Sequence, residues 1–137
     1  MKSVYRACAL LLLAMRLAYP DEGGRWHREA VVFPAFGQEA ILLTGELLWL
    51  EREDLAPRRP GVVICHPDPR YGGTMANRVV RRLADTLAGA GMVTLRFNFR
   101  GVEGSAGSFG GGIEEVRDCL GALERLTACP VVDRDRV

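Results

Sequence analysis

The sequence predicts an α/β fold, a mostly parallel sheet flanked by helices. Three observations predict it. Residues 62–65, "VVIC", carry no polar side chain, as in a strand covered on both faces. Met75, Val79, Val80, Leu83, Ala84 and Leu87 then recur at spacings of three and four, the pattern of an amphipathic helix. "MVTLRFNF", residues 92–99, follows with Leu95, Phe97 and Phe99 on one side and Arg96 and Asn98 on the other, the alternation of a strand. Strand, helix and strand in this order make a crossover, for which the right-handed connection is preferred.

The remaining elements follow in chain order. Residues 29–37 and 39–51 are rich in Val, Ile, Leu, Phe and Trp and read as two strands of a hairpin or meander, broken at Gly37 and Gln38. "PRRPG", residues 57–61, is the next turn. Gly89 and Gly91 end the first helix. A Gly/Ser loop spans 101–112, and a second helix is expected from 113 to about 127, with Ile113, Val116, Leu120 and Leu123 on its apolar face. "PVVDRDRV" closes the chain with a turn and the start of a strand.

Residues 1–25 are set apart as an extension or weak signal-like segment. Lys2 and Arg6 precede an apolar run over 7–15, but Arg16 closes that run and no A-x-A site follows. The expected compartment is the cytoplasm, with export through this segment as the alternative. The run is also short of the ~20 residues that cross a bilayer, so no stable membrane span is expected.

Composition narrows the function classes. With 137 residues, 48% hydrophobic and 26% charged, the chain reads as one globular unit or part of one. Its 18 basic and 17 acidic residues are scattered and nearly cancel, which argues against a nucleic-acid partner. The only lysine is Lys2, so no phosphate-cradling Gly-Lys loop exists. Cys8, Cys65, Cys119 and Cys129 show no C-x-x-C spacing; thiols are expected, three of them packed, with neither zinc nor a disulfide framework.

The densest chemistry lies at residues 66–73, "HPDPRYGG". This stretch leaves the carboxyl end of a strand and leads into a helix, where open α/β sheets build their binding sites. Pro67 and Pro69 have no N–H, so only Asp68, Arg70 and Tyr71 of the segment 67–71 can donate a backbone hydrogen bond. Prolines would also hold such donors rigid, which favours a preorganised site. The bland reading of Pro-Asp-Pro is a stiff loop.

"ICHPDPRYGGTMANRVV" followed by "GMVTLRFNFRGVEGSAGSF" resembles the α/β-hydrolase superfamily, and specifically the small bacterial serine hydrolases related to dienelactone hydrolases. The resemblance covers roughly residues 31–137 and implies that 26–137 form the amino-terminal part of that fold. It further implies that the Asp68 N–H supplies one donor of an oxyanion hole, the second coming from the residue after the nucleophile. His66 then orders the turn by hydrogen bonding, with Pro67, Pro69, Gly72 and Gly73 shaping it, while Arg70, Tyr71 and Arg100 are substrate or structural contacts. For Arg96 and Arg100 the structural reading is pairing with Asp85, Glu114 or Asp118. His27 reads as a surface residue. The implied substrate is a small ester, thioester or amide cleaved through an acyl-enzyme, with no metal or organic cofactor. One departure stands out: the family loop R-G-V-G-x-S-x-G has Glu103 here at its second glycine.

A nucleophile is harder to find. A serine of this family belongs in G-x-S-x-G at a sharp strand-to-helix turn, followed by an acid and then a histidine. Ser105 and Ser108 sit in near-matches, yet both lie too far beyond the preceding strand, and both His27 and His66 precede them. Cys119 and Cys129 likewise have no histidine after them. The expectation is a chain that holds part of an oxyanion hole and none of the triad, stopping short of the nucleophile strand. The resemblance makes the 62–65 strand central in the complete sheet, so one of its edges would be open here and invite self-association. Two other classes stay open: a non-catalytic binding or assembly module, and a nucleotide-binding domain using Gly101, Gly104, Gly107 and Gly110.

Overall fold

A computed structural model describes residues 24–137; the signal-like reading of the amino-terminal segment falls outside the described residues except at Gly24 and Arg25. The elements are β1 (Arg25–Ala35), β2 (Gln38–Glu51), β3 (Gly61–Ile64), a single 3-10 turn (Pro69–Tyr71), α1 (Arg78–Gly89), β4 (Val93–Phe97) and α2 (Glu115–Thr127). The strands form one mixed sheet in the order β1-β2-β4-β3. β1 and β2 pair antiparallel as a hairpin, β2 pairs antiparallel with β4, and the crossover through α1 makes β3 and β4 parallel.

Neighbouring residues of one strand separate two cores. Leu47 of β2 joins Val31, Phe33, Leu43, Leu95 and Phe97 beneath Ala122 and Leu126 of α2. Leu48, pointing the other way, joins Ile64 beneath Val80, Ala84 and Ala88 of α1. The sheet therefore lies between the two helices. All five residues of β4 are buried because strands flank it on both sides and helices cover both faces. No helix among the described residues is long and apolar enough to cross a membrane.

Several sequence expectations need correction. The 62–65 strand was expected to be covered on both faces, whereas Val62 and Val63 are half-buried and Cys65 is exposed. The cause is position: β3 lies at the edge of the sheet, bonded in its ladder to β4 alone. The chain end approaches its open side, where Arg59 bridges Val132 in parallel and the Gly61 N–H donates to the Arg136 carbonyl at 2.9 Å. Of the cysteines expected to pack, only Cys129 is fully buried; Cys119 is half-buried.

The helices deviate in the same sense. Met75 precedes α1, which Asn77 caps by accepting the Val79 N–H, and Val79 and Leu83 face outward. α2 begins at Glu115, two residues later than expected, and the expected apolar face is the exposed one: Ile113 just before the helix and Val116, Leu120 and Leu123 within it are 78, 57, 41 and 37% exposed. Its inward face is Glu115, Asp118, Gly121, Ala122 and Leu126. Two carboxylates can turn inward because cationic and backbone donors from the preceding loop meet them there, a partnership that periodicity alone does not reveal.

Gly121 brings α2 against β1. A Cβ at this position would stand 2.3 Å from the Pro34 carbonyl oxygen. Alanine ordinarily stabilises a helix interior over glycine by about 1 kcal/mol. Here Gly121→Ala is expected to destabilise the chain by about 1–3 kcal/mol through overpacking, read as a lower urea midpoint.

Candidate functional site

The site grows from the end of β4. Three successive amides leave the strand and bind three different elements. The Asn98 N–H donates to the Thr44 carbonyl of β2 at 2.8 Å. The Phe99 N–H donates to His66 Nε2, beyond β3, at 3.1 Å. The Arg100 N–H donates to Asp118 Oδ2 of α2 at 3.0 Å.

Because Nε2 of His66 accepts, Nδ1 carries the ring proton and donates it to the Pro67 carbonyl at 2.6 Å. The ring is buried and packs edge-on against Phe99 with centroids 4.8 Å apart. Both nitrogens are engaged in holding backbone, so His66 is a positioning residue for the turn.

That turn is closed by Asp68. Its carbonyl accepts the Tyr71 N–H at 3.1 Å and the Gly73 N–H at 3.2 Å, and its side chain accepts the Arg70 N–H at 2.9 Å. The Arg70 side chain and N–H hold the Asp68 carboxyl below its ordinary value. Gly72 takes a left-handed φ of 77°, and a Cβ on Gly73 would lie 1.8 Å from the Pro67 oxygen, so each glycine is required by geometry. Of the three amides able to donate, those of Arg70 and Tyr71 are consumed inside the turn. The Asp68 N–H has no acceptor among the described residues.

The surrounding residues divide between frame and surface. Arg100 is buried and bonds Asp118 through Nε and a 2.7 Å contact from Nη2, reaching Glu114 and Gln38 as well. Arg96 pairs with Glu46 at 2.8 Å and donates to the Met75 carbonyl, so its carboxylate partner is none of the three expected ones. Asp85 meets Arg28 instead. Arg70 lies over the Phe109 ring at 5.0 Å, placing the Gly/Ser loop beside the turn, and Tyr71 is 88% exposed. His27 stacks on Trp49 and bonds Glu51, away from the turn.

Both serines lie in the loop between β4 and α2. Ser105 Oγ donates to the Asn98 carbonyl at 2.8 Å and accepts the Thr44 N–H at 3.0 Å, a structural role. Ser108 is exposed in the loop, and α2 begins only at Glu115. Asn98 is the residue that sequence reasoning passed over. Buried at the strand end, its Oδ1 accepts the Met75 N–H and its Nδ2 donates to the Glu103 carbonyl, joining the segment after the turn to the loop. A polar residue between two phenylalanines is the signal that could have found it. Among the described residues no group of three or more His, Cys, Asp or Glu side chains is placed to hold a metal ion.

Comparison with known proteins places this geometry. No family model matches the chain. It is 44% identical over 71 residues to an uncharacterised protein of Rickettsia prowazekii, a match covering 52% of this chain and 30% of that protein. A lidless α/β serine hydrolase from Xanthomonas campestris is 32% identical with a TM-score of 0.65, covering 78% of this chain and 47% of that one. An α/β serine hydrolase homologue from Coxiella burnetii is 34% identical with a TM-score of 0.61, covering 72% and 45%. The chain has an α/β serine hydrolase-like fold. It spans less than half the length of these two solved hydrolases. A dienelactone hydrolase-like promiscuous phosphotriesterase from metagenomic libraries shares the fold at 23% identity and a TM-score of 0.51.

Within this hydrolase-like fold, the loop after Arg100 turns through Glu103, where the resemblance expects a glycine. Glu103 adopts a φ of 25°, the only positive value at a non-glycine among the described residues. Its carbonyl must face inward to accept from Asn98 Nδ2 and Thr44 Oγ1, and that demand sets the backbone. Further on, Glu115 receives the Gly110 and Gly112 N–H groups at 2.6 and 2.8 Å. Burial opposes the charge on Glu115, but these amides and the Arg100 guanidinium outweigh it and hold the carboxyl below its ordinary value. Left-handed backbone costs a side-chain-bearing residue about 1–2 kcal/mol. Glu103→Gly is therefore expected to raise stability by about 1 kcal/mol in urea unfolding, after the added flexibility of glycine is counted.

Proposed function

We propose that this chain is the amino-terminal part of a serine hydrolase that cleaves a small ester, thioester or amide through an acyl-enzyme, and that its contribution is one arm of the oxyanion hole. One observation carries the reading: the Asp68 N–H alone, of the three donors in the turn, is left without an acceptor among the described residues. A preorganised amide of this kind stabilises the negative charge that develops on a carbonyl oxygen as a nucleophile adds to it. His66 and the two prolines keep the amide in place, so little reorganisation accompanies charge development. Arg70, Tyr71 and Phe109 form the adjoining rim, where the acyl or leaving group of a substrate would lie. The nucleophile, acid and base are proposed to lie outside these 137 residues, since Ser105 is committed to backbone and Ser108 has no helix behind it.

Asp68 has φ −49° and ψ 122°, values that proline adopts, so Asp68→Pro removes the N–H with the backbone otherwise suited to it. Asp68→Ala controls for the lost carboxylate. With the chain joined to the carboxy-terminal half of the Xanthomonas hydrolase, ester hydrolysis is expected. In that chimera Asp68→Pro should lower kcat by about 10²–10³-fold while Asp68→Ala largely retains it. Equal rates for the two variants would remove Asp68 from the oxyanion hole. Labelling of Ser105 or Ser108 by a fluorophosphonate in the isolated chain would remove the reading that the nucleophile lies elsewhere.

The open side of β3 and the exposed stripes on both helices further support self-association of the isolated chain. Concentration-dependent oligomers are expected in sedimentation velocity; a monomer across the accessible concentrations contradicts this.

A further inference from the structure

Two thiols meet where β3 ends. Cys65 follows the last residue of β3 and is exposed, while Cys119 lies one turn into α2. Their sulfurs are in contact at 3.6 Å although the residues are 54 positions apart, so only the folded chain brings them together. We propose that Cys65 and Cys119 form a reversible dithiol–disulfide couple that takes a low-molecular-mass disulfide as oxidant and, once closed, ties the carboxyl end of β3 to α2. The proposal is independent of the hydrolase reading.

The two cysteines have unequal roles. A hydrogen bond from Cys119 holds the Cys65 thiol below its ordinary pKa, whereas that same bond, burial and the Asp118 charge push Cys119 up. Cys65, exposed and richer in thiolate, is the attacking group. Its sulfur attacks one sulfur of the small disulfide, forming a mixed disulfide on Cys65 and releasing one small thiolate, which takes up the proton lost by Cys65. Cys119 then gives up its proton and attacks the Cys65 sulfur, closing the protein disulfide and releasing the second small thiol. The two cysteines are oxidised by two electrons together, and the co-reactant is reduced to two thiols. Closure fixes the backbone one residue before His66 and beside Asp118, the two residues that receive the Phe99 and Arg100 amides.

Glutathione disulfide added to the reduced, full-length chain, followed by acid quenching and non-reducing peptide mapping, tests this. In native buffer the peptide linking Cys65 to Cys119 should exceed that linking Cys119 to Cys129 by about tenfold or more. In guanidinium the ratio should reverse, because the shorter loop closes more readily in an unfolded chain. Cys119→Ser should stop at a glutathione adduct on Cys65. As a check that needs no variant, iodoacetamide should modify Cys65 of the reduced wild-type chain about tenfold faster than Cys119 or Cys129. The same linkage ratio in native buffer and denaturant, or alkylation of Cys65 no faster than of Cys129, overturns the proposal.

Discussion

The end of β4 is the constraint on which the rest of the structure depends. Asn98, Phe99 and Arg100 leave the sheet with their amides pointed at β2, at His66 and at α2 in turn. The hairpin, the turn after β3 and α2 are thereby indexed to one short run of backbone. The side chains repeat the arrangement, with Asn98 joining Met75 to the Glu103 carbonyl and Arg100 saturating Asp118. A buried polar cluster is stable only when its members are satisfied, and loss of one partner leaves the others desolvated without compensation. This interdependence ties the geometry of the site to the packing of the domain.

The turn at residues 66–73 illustrates how local chemistry and tertiary contact divide the work. Within the turn, two prolines, a left-handed glycine and the Asp68 acceptors dictate a tight closed path. None of these decides where the turn points relative to the sheet. His66 does, by bonding the turn through Nδ1 and the end of β4 through Nε2. The Gly/Ser loop then comes to lie alongside, with Phe109 beneath the Arg70 guanidinium.

The helices show a further consequence of polar burial. α2 turns Glu115 and Asp118 inward and its Val and Leu stripe outward, the reverse of an ordinary surface helix. α1 leaves Val79 and Leu83 uncovered, and β3 has one open ladder edge. Apolar stripes beside an edge strand of this kind are surfaces on which association is favoured.

By itself the sequence determined the crossover of β3, α1 and β4, the hairpin before it, and the identity of the proline-bracketed turn, because these rest on local rules: side-chain alternation, helical spacing and the missing N–H of proline. It also reduced the turn's donors to three. The closed turn decided among them, since Asp68, two and three residues upstream, takes up the Arg70 and Tyr71 amides. Only the tertiary structure decided which face of α2 is buried, the roles of Asn98 and Glu115, and the meeting of Cys65 with Cys119. Each of these joins groups far apart in the chain or satisfies a charge from a loop, and no local periodicity encodes such a partner.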